Sequence, residues 1–319
     1  LSTKTLNEAF YKELSHWFFW ARDCVTFPEG AGDKAEVPLI RLLTRVIFCW
    51  FIKERGLIPE SLFRLEDVRP LLKSDPVQAA DEGNYYRAVL QNLFFATLNT
   101  EMGEGRKWRS KSGSGGQAAH HMVHSFYRYQ DLFSDPDAAL AQFRNVPFLN
   151  GGLFECLDRE VTAKELERDP DLATRVVDGK RLRVDGFSDH PKNPLHIPNR
   201  VFFGDEIKVD LNDIYETKGK DYRARGLFTL FDDYVFTVEE NTSVEEEVAL
   251  DPELLGKVFE NLLASYNEET STTARKKSGA FYTPRYVVDY MVRETLSHQF
   301  TRALVAGRPA DNGGIRPNA

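Results

Sequence analysis

Apolar positions recur at helical spacing near the start of the chain. In "TLNEAFYKELSHWFFWARD" (Thr5 to Asp23), Leu6, Phe10, Leu14, Trp17, Phe18 and Ala21 fall on one face, the period of a half-buried helix. Thr5 followed by Glu8 has the form of a capping box, in which two side chains satisfy backbone donors reciprocally. A second helix is predicted from Pro38, where proline forfeits no needed donor, to Gly56. Its stretch "VPLIRLLTRVIFCWFI" is apolar nearly all round, which suits the centre of a bundle. "NYYRAVLQNLFFATLN" (Asn84 to Asn99) reads as a third helix capped by Asn84, and "QAAHHMVHSFYRYQ" (Gln117 to Gln130) as a fourth.

After Phe148 the pattern changes. "FLNGGLF" carries an Asn-Gly-Gly turn, and "RVVDGKRLRV" (Arg175 to Val184) predicts a hairpin with Asp178-Gly179 at its tip. Short apolar runs at Arg200 to Phe203 and Glu206 to Leu211, broken by Pro, Gly and Asp, extend this into a β-containing insertion. Helical signals return at "GLFTLFDDYVF". "DPELLGKVFENLLASYN" is a clear helix, with Asp251 as cap, Pro252 in its first turn and a stripe from Leu254 to Leu263. The expected fold is mainly α with some β: a helical N-terminal region (1–147), a β-containing insertion (148–225), a helical connector (226–274) and a distinct segment (275–319).

Composition narrows the class. With 23 Phe and 12 Tyr in 319 residues the chain can fill a large core. The longest apolar run contains Arg41 and Arg45 and falls short of the roughly 20 residues a membrane span needs, so no membrane partner is expected. No signal peptide opens the chain, and Cys24, Cys49 and Cys156 lack CxxC spacing, which fits reduced thiols in the cytoplasm. The net charge of −8 is unevenly spread: Asp232 to Glu269 carries twelve acids against Lys257, so the remainder is +3. A nucleic-acid partner therefore fits the rest of the chain. The start at Leu1 and the aperiodic ending "GRPADNGGIRPNA" suggest part of a longer polypeptide.

"RKKSGAFYTPRYVVDYMV" (Arg275 to Val292) builds a careful helix entrance close to that ending. Thr283 can cap, Pro284 suits the first helical position, and the free backbone N–H groups there suit a carboxylate or phosphate. Gly279 permits close approach, while Phe281 and Tyr282 offer faces to a ring or a cation. A plain capped helix with two core aromatics would show the same local pattern.

"SGAFYTPRYVVDYMV" resembles the G-x-[FY]-[YF]-T-P stretch that precedes the first glycine-rich cofactor motif of permuted, gamma-type adenine-N6 DNA methyltransferases. "LNEAFYKELSHWF", "RLLTRVIFCWFIKERGLI", "VPFLNGGLFE" and "DPELLGKVFENLL" are similar, in the same order, to stretches of the large single-chain methylases of type IIG restriction-modification and phage-exclusion systems. The resemblance implies that 275–319 starts a truncated Rossmann-like methyltransferase domain, with Gly279, Phe281, Tyr282, Thr283 and Pro284 lining the methionine end of an S-adenosylmethionine site. It also implies a double-stranded DNA partner and missing C-terminal methyltransferase and target-recognition regions. The family's catalytic [ND]-P-P-[YF] motif, which holds an extruded adenine, is absent, as is its glycine-rich loop. No catalytic residue is expected in this segment, and the segment alone should be inactive.

Other constellations carry weaker expectations. Arg106, Lys107, Arg109 and Lys111 surround Trp108 in a Gly/Ser-rich loop, a composition that can grip phosphates and stack a base, and Lys276 and Lys277 flank the expected cofactor stretch. Glu216-Thr217-Lys218 after Asp210 or Asp213 mimics a nuclease metal motif, and His120, His121 and His124 mimic zinc spacing, but a solvated loop and a histidine cluster explain them better, so no metal is expected. A helical scaffold or nucleic-acid-binding module without catalysis is the alternative to the enzyme.

Overall fold

The computed structural model describes residues 3–28, 36–109, 126–149, 152–177, 181–189, 193–236, 249–250 and 290–297. Within them the amphipathic opening folds as α1 (Thr3–Cys24), and the apolar stretch after it as α2 (Glu36–Glu54). Thr5 lies inside α1, so the helix begins before the predicted capping box. α2 ends ahead of Gly56, whose φ of +68° is the left-handed conformation that stops a helix. The short α3 (Leu65–Leu71) follows.

Residues 84–98 form the third predicted helix, wound largely as π-turns, Tyr86–Leu90 and Asn92–Leu98. Its cap is not Asn84. The Tyr85 N–H donates to the side-chain oxygen of Asn199, more than a hundred residues away, and Asn199 also hydrogen-bonds Asn84. The predicted fourth helix lies outside the described residues up to residue 125, and its last part is not helical. Tyr127 instead bridges Trp108 in parallel, because its backbone pairs with the 107–109 segment. α4 (Pro136–Arg144) is capped by Asp135, which accepts from the N–H groups of Asp137 and Ala138.

The predicted hairpin forms: β2 (Val176–Val177) pairs antiparallel with β3 (Arg181–Leu182), and β1 (Arg159–Glu160) adds a third strand in the order β1-β3-β2. α5 (Ala163–Arg168) and α6 (Pro170–Arg175) sit in the β1–β2 connection. Arg200–Phe203, expected to be extended, is the short helix α7; a four-residue apolar run cannot be told from a helical turn by periodicity. β4 (Ile207–Val209) and β5 (Tyr222–Ala224) make a second antiparallel pair. α8 (Leu227–Asp232) precedes β6 (Val235–Phe236), which pairs with β7 (Ala249–Leu250). The architecture is mainly α with small β content. Among the described residues no helix is long and apolar enough to cross a membrane.

One aromatic core ties these segments together. The Phe228 ring of α8 lies 5.6 Å from Trp50 of α2, 5.8 Å from Tyr85 and 5.6 Å from Phe202 of α7. Fully burying such a ring contributes about 1.5–3 kcal/mol. The chains at α7 and α8 approach so closely that a Cβ on Gly226 would stand 2.4 Å from the Phe202 carbonyl oxygen. The chain divides into two units, Leu1–Leu262 and Leu263–Ala319. Of the second, residues 290–297 are described and are helical; the predicted helix from Asp251 lies outside the described residues.

Candidate functional site

The sequence-predicted residues divide into two groups. Gly279, Phe281, Tyr282, Thr283, Pro284, Lys276, Lys277, Lys111 and the three histidines His120, His121 and His124 lie outside the described residues. Arg106, Lys107, Trp108 and Arg109 are described, and the fold sorts them by face. Tyr127 N–H donates to the Lys107 carbonyl at 3.0 Å and Arg109 N–H to the Tyr127 carbonyl at 2.9 Å, so the segment is extended and successive side chains alternate. Trp108 faces inward, its ring 5.7 Å from Tyr127 and 5.6 Å from Phe133. Lys107 and Arg109 share the opposite face, Lys107 exposed and Arg109 partly so.

Arg106 turns inward and is 3% exposed. Its guanidinium donates to the carbonyl of Thr97 (2.6 Å), in the last turn of the π-helical segment, and to that of Thr100 (2.8 Å), just past its end. It also donates to Val146 (2.5 Å) and Arg144 (3.2 Å) at the end of α4. One cation thus serves two helix C-termini, where carbonyls lack intrahelical partners and the dipole favours positive charge. Burial pushes the Arg106 pKa down from its ordinary value. The expected phosphate contact at Arg106 is spent on the fold, and Trp108's face is covered by protein.

The exposed face at Lys107 and Arg109 continues into a cluster that no sequence motif announces. The side chain of Asn92, in the π-helical segment, donates to the Arg128 carbonyl and accepts from the Arg128 N–H, both at 2.8 Å. This clamp precedes Tyr129, which holds a φ of 58°, a conformation that costs a non-glycine residue about 1–2 kcal/mol. Arg128 and Tyr129 then converge on one carboxylate: the Arg128 guanidinium meets Asp189 at 2.8 Å, and the Tyr129 hydroxyl donates to its other oxygen. Arg109 approaches Asp189 at 3.8 Å, and Arg87 lies over the Tyr129 ring, 5.8 Å from its centroid. Burial, and then the Asp189 charge, raise the Tyr129 pKa well above its ordinary value, so the hydroxyl keeps its proton and donates. Burial lowers the Arg128 pKa, and Asp189 opposes that shift.

A second polar centre is closed. Cys156, Asp158 and Asp185 place potential ligand atoms within 4.8 Å of one another. Asp158 nevertheless accepts from the N–H groups of Val184, Asp185, Gly186 and Ser188 and from the Ser188 hydroxyl, at 2.7–3.1 Å. Asp185 accepts from the Leu157 N–H and faces Arg45 at 3.5 Å, whose guanidinium lies 4.6 Å from the Phe187 ring. The carboxylate oxygens are committed to hydrogen bonds and the buried Arg45 already pairs with Asp185, so the trio is a hydrogen-bonded knot rather than a ligand set. The nuclease-like triplet Glu216-Thr217-Lys218 sits in the loop between β4 and β5, where the Thr217 hydroxyl donates to Asn212. It does not lie on two adjacent strands. Beside it a groove of about 940 Å³ runs between α1 and the β4–β5 pair, lined by His16, Tyr215 and Tyr222 among others.

The chain is 22% identical over 278 residues to a protein of Methanocaldococcus jannaschii named as a candidate type II restriction enzyme and methyltransferase. That similarity covers 86% of this chain and 16% of the relative, so the chain spans about a sixth of the relative's length. No family model matches the chain, and no solved structure matches it. The chain is thus a distant relative of a protein of restriction-modification methyltransferase type.

Proposed function

We propose that the chain is the N-terminal portion of a DNA methyltransferase of a restriction-modification or phage-defence system, one that transfers a methyl group from S-adenosylmethionine to adenine N6. On this reading the helical body of 3–236 braces a catalytic domain that begins near residue 275, and the protein works in the cytoplasm on double-stranded DNA. The observation that carries it is the similarity across 86% of the chain to the archaeal relative. The ordered motifs ending in "SGAFYTP" support its finer part.

Within this chain Gly279, Phe281, Tyr282, Thr283 and Pro284 would hold the methionine end of the cofactor. A capped helix entrance suits its carboxylate, and an aromatic face suits its sulfonium. The chemistry supplied by the bound cofactor is the transferable methyl group; this chain's share is binding and orientation, and alone it transfers nothing. The test is equilibrium binding of radiolabelled S-adenosylmethionine to the longest natural polypeptide containing this chain. Tyr282→Ala should weaken that binding at least several-fold while the protein's melting is unchanged. Unaltered binding would remove these residues from the cofactor site, and the scaffold alternative would then stand if no methyl transfer is detected either.

A further inference from the structure

The face that carries Lys107 and Arg109 is more than two exposed cations on a loop. Trp108, packed against Tyr127 and Phe133, fixes the strand-like segment so that residues 107 and 109 point the same way. Asp189 draws Arg109, Arg128 and Tyr129 toward one point, and the Tyr129 ring in turn sits under Arg87. Arg87 is exposed, on the outer side of an otherwise buried helical segment. Counting Arg87, Lys107, Arg109 and Arg128 against Asp189, the cluster is positive, although the chain as a whole carries −8.

The balance of charge and burial decides what the cluster can do. Arg128 is consumed: its side chain is 1% exposed and its guanidinium is on Asp189. Arg109, 31% exposed and 3.8 Å from the same carboxylate, is oriented without being neutralised. Arg87 makes one long contact to a carbonyl, 3.5 Å to Leu195, and keeps donors for solvent. Lys107 is exposed. Side chains held in place but still solvated lose little freedom on meeting an anion, which is how a preset phosphate contact gains over a mobile one. The clamp by Asn92 and the left-handed Tyr129 indicate that the local backbone is held against its own preference, a feature that concentrates at working sites.

We infer that Arg87, Lys107 and Arg109 form a preset contact patch for the phosphate backbone of duplex DNA, with Asp189 and Tyr129 as the residues that position it. The inference rests on the proposed DNA-methyltransferase reading and names which residues meet the DNA away from the target base. It replaces Arg106 and Trp108, which the fold turns inward, with Arg87. Contacts of this kind carry no sequence information; they set affinity and register.

The test is the salt dependence of binding to a short fluorescent DNA duplex, measured by anisotropy on the whole 319-residue chain. Each phosphate contact contributes about −0.9 to the slope of log K against log salt, so the triple variant R87Q/K107Q/R109Q should flatten the slope by about 2.7. Between about 50 and about 200 mM salt the unaltered chain should then lose about 40-fold more affinity than the variant. Lys208→Gln, on β4 and already paired with Asp221 at 3.1 Å, should leave the slope unchanged, and circular dichroism should show all forms equally folded. Tyr129→Phe should weaken binding with the slope retained, because the charges remain but their frame is loosened. If the chain binds and the triple variant keeps the full slope, the patch is wrong while the methyltransferase reading stands. If the chain shows no salt-dependent binding, the patch falls, and methyl transfer by the longer polypeptide then decides the reading separately.

Discussion

Replacing Arg106 with methionine tests whether a basic residue in a Gly/Ser-rich loop holds the fold or meets a ligand. Methionine keeps the apolar stem and removes every donor. The guanidinium bonds the carbonyls of Thr97, Thr100, Arg144 and Val146 at 2.5–3.2 Å, with a longer contact of 3.4 Å to Phe143. Hydrogen bonds from a charged group are worth about 1.5–3 kcal/mol each, but the buried cation's own desolvation offsets much of that sum. Several of the carbonyls also have a second lone pair to offer. No charge is left unpaired, so the net loss should be that of one or two buried carbonyls left short of a donor, about 2–4 kcal/mol. For a unit of this size that lowers Tm on the order of 10 °C. Thermal melts followed by circular dichroism, with urea titration by tryptophan fluorescence, would measure it. Below the variant's melting temperature its DNA affinity should keep the slope of the unaltered chain. A variant that melts within about 2 °C of the original, or that flattens the salt slope as R87Q/K107Q/R109Q is expected to, would refute the assignment.

Gly226→Ala should destabilise the fold by about 1–3 kcal/mol or more, since its Cβ would meet the backbone of Phe202 and Gly204 at 2.4–2.6 Å; urea midpoints would show it. His16 is buried against Tyr215 and Tyr222, which lowers its pKa below 6.5, and Lys12 adds to the shift while the Arg223 carbonyl and Glu13 oppose it. As pH falls below that value the unfolded chain takes up a proton that folded His16 refuses, so stability is present above it and lost progressively below. Between about pH 7.5 and about pH 5.5, His16→Phe should therefore lose less Tm than the unaltered chain; equal losses would contradict this. Chelation with EDTA should leave Tm unchanged, because hydrogen bonds and Arg45 satisfy Asp158 and Asp185.

Elements with long or unambiguous local patterns were legible: α1 and α2 from their apolar periods, and the β2–β3 hairpin from Asp178-Gly179 between apolar runs. Where distant partners decide, local pattern was silent. Asn199 caps the helical segment at Tyr85 from more than a hundred residues away. Tyr127 leaves the helical pattern around it to pair with Lys107 and Arg109. Arg106 looks solvated by its neighbours, and only carbonyls from two separate helix ends turn it inward. The Asp189 cluster joins residues 87, 109, 128, 129 and 189, which no window along the chain contains. Net charge could not single out Arg87 either: the excess of cations outside Asp232 to Glu269 lies in 270–319, and the residues before Asp232 carry slightly more acids than bases.

The chemistry itself gives the most direct check. The longest natural polypeptide containing this chain would be incubated with duplex DNA and methyl-labelled S-adenosylmethionine, and the DNA digested to nucleosides and separated. Label is expected in N6-methyl-2′-deoxyadenosine alone. Label in a methylated cytosine, or none in the DNA at all, would contradict this.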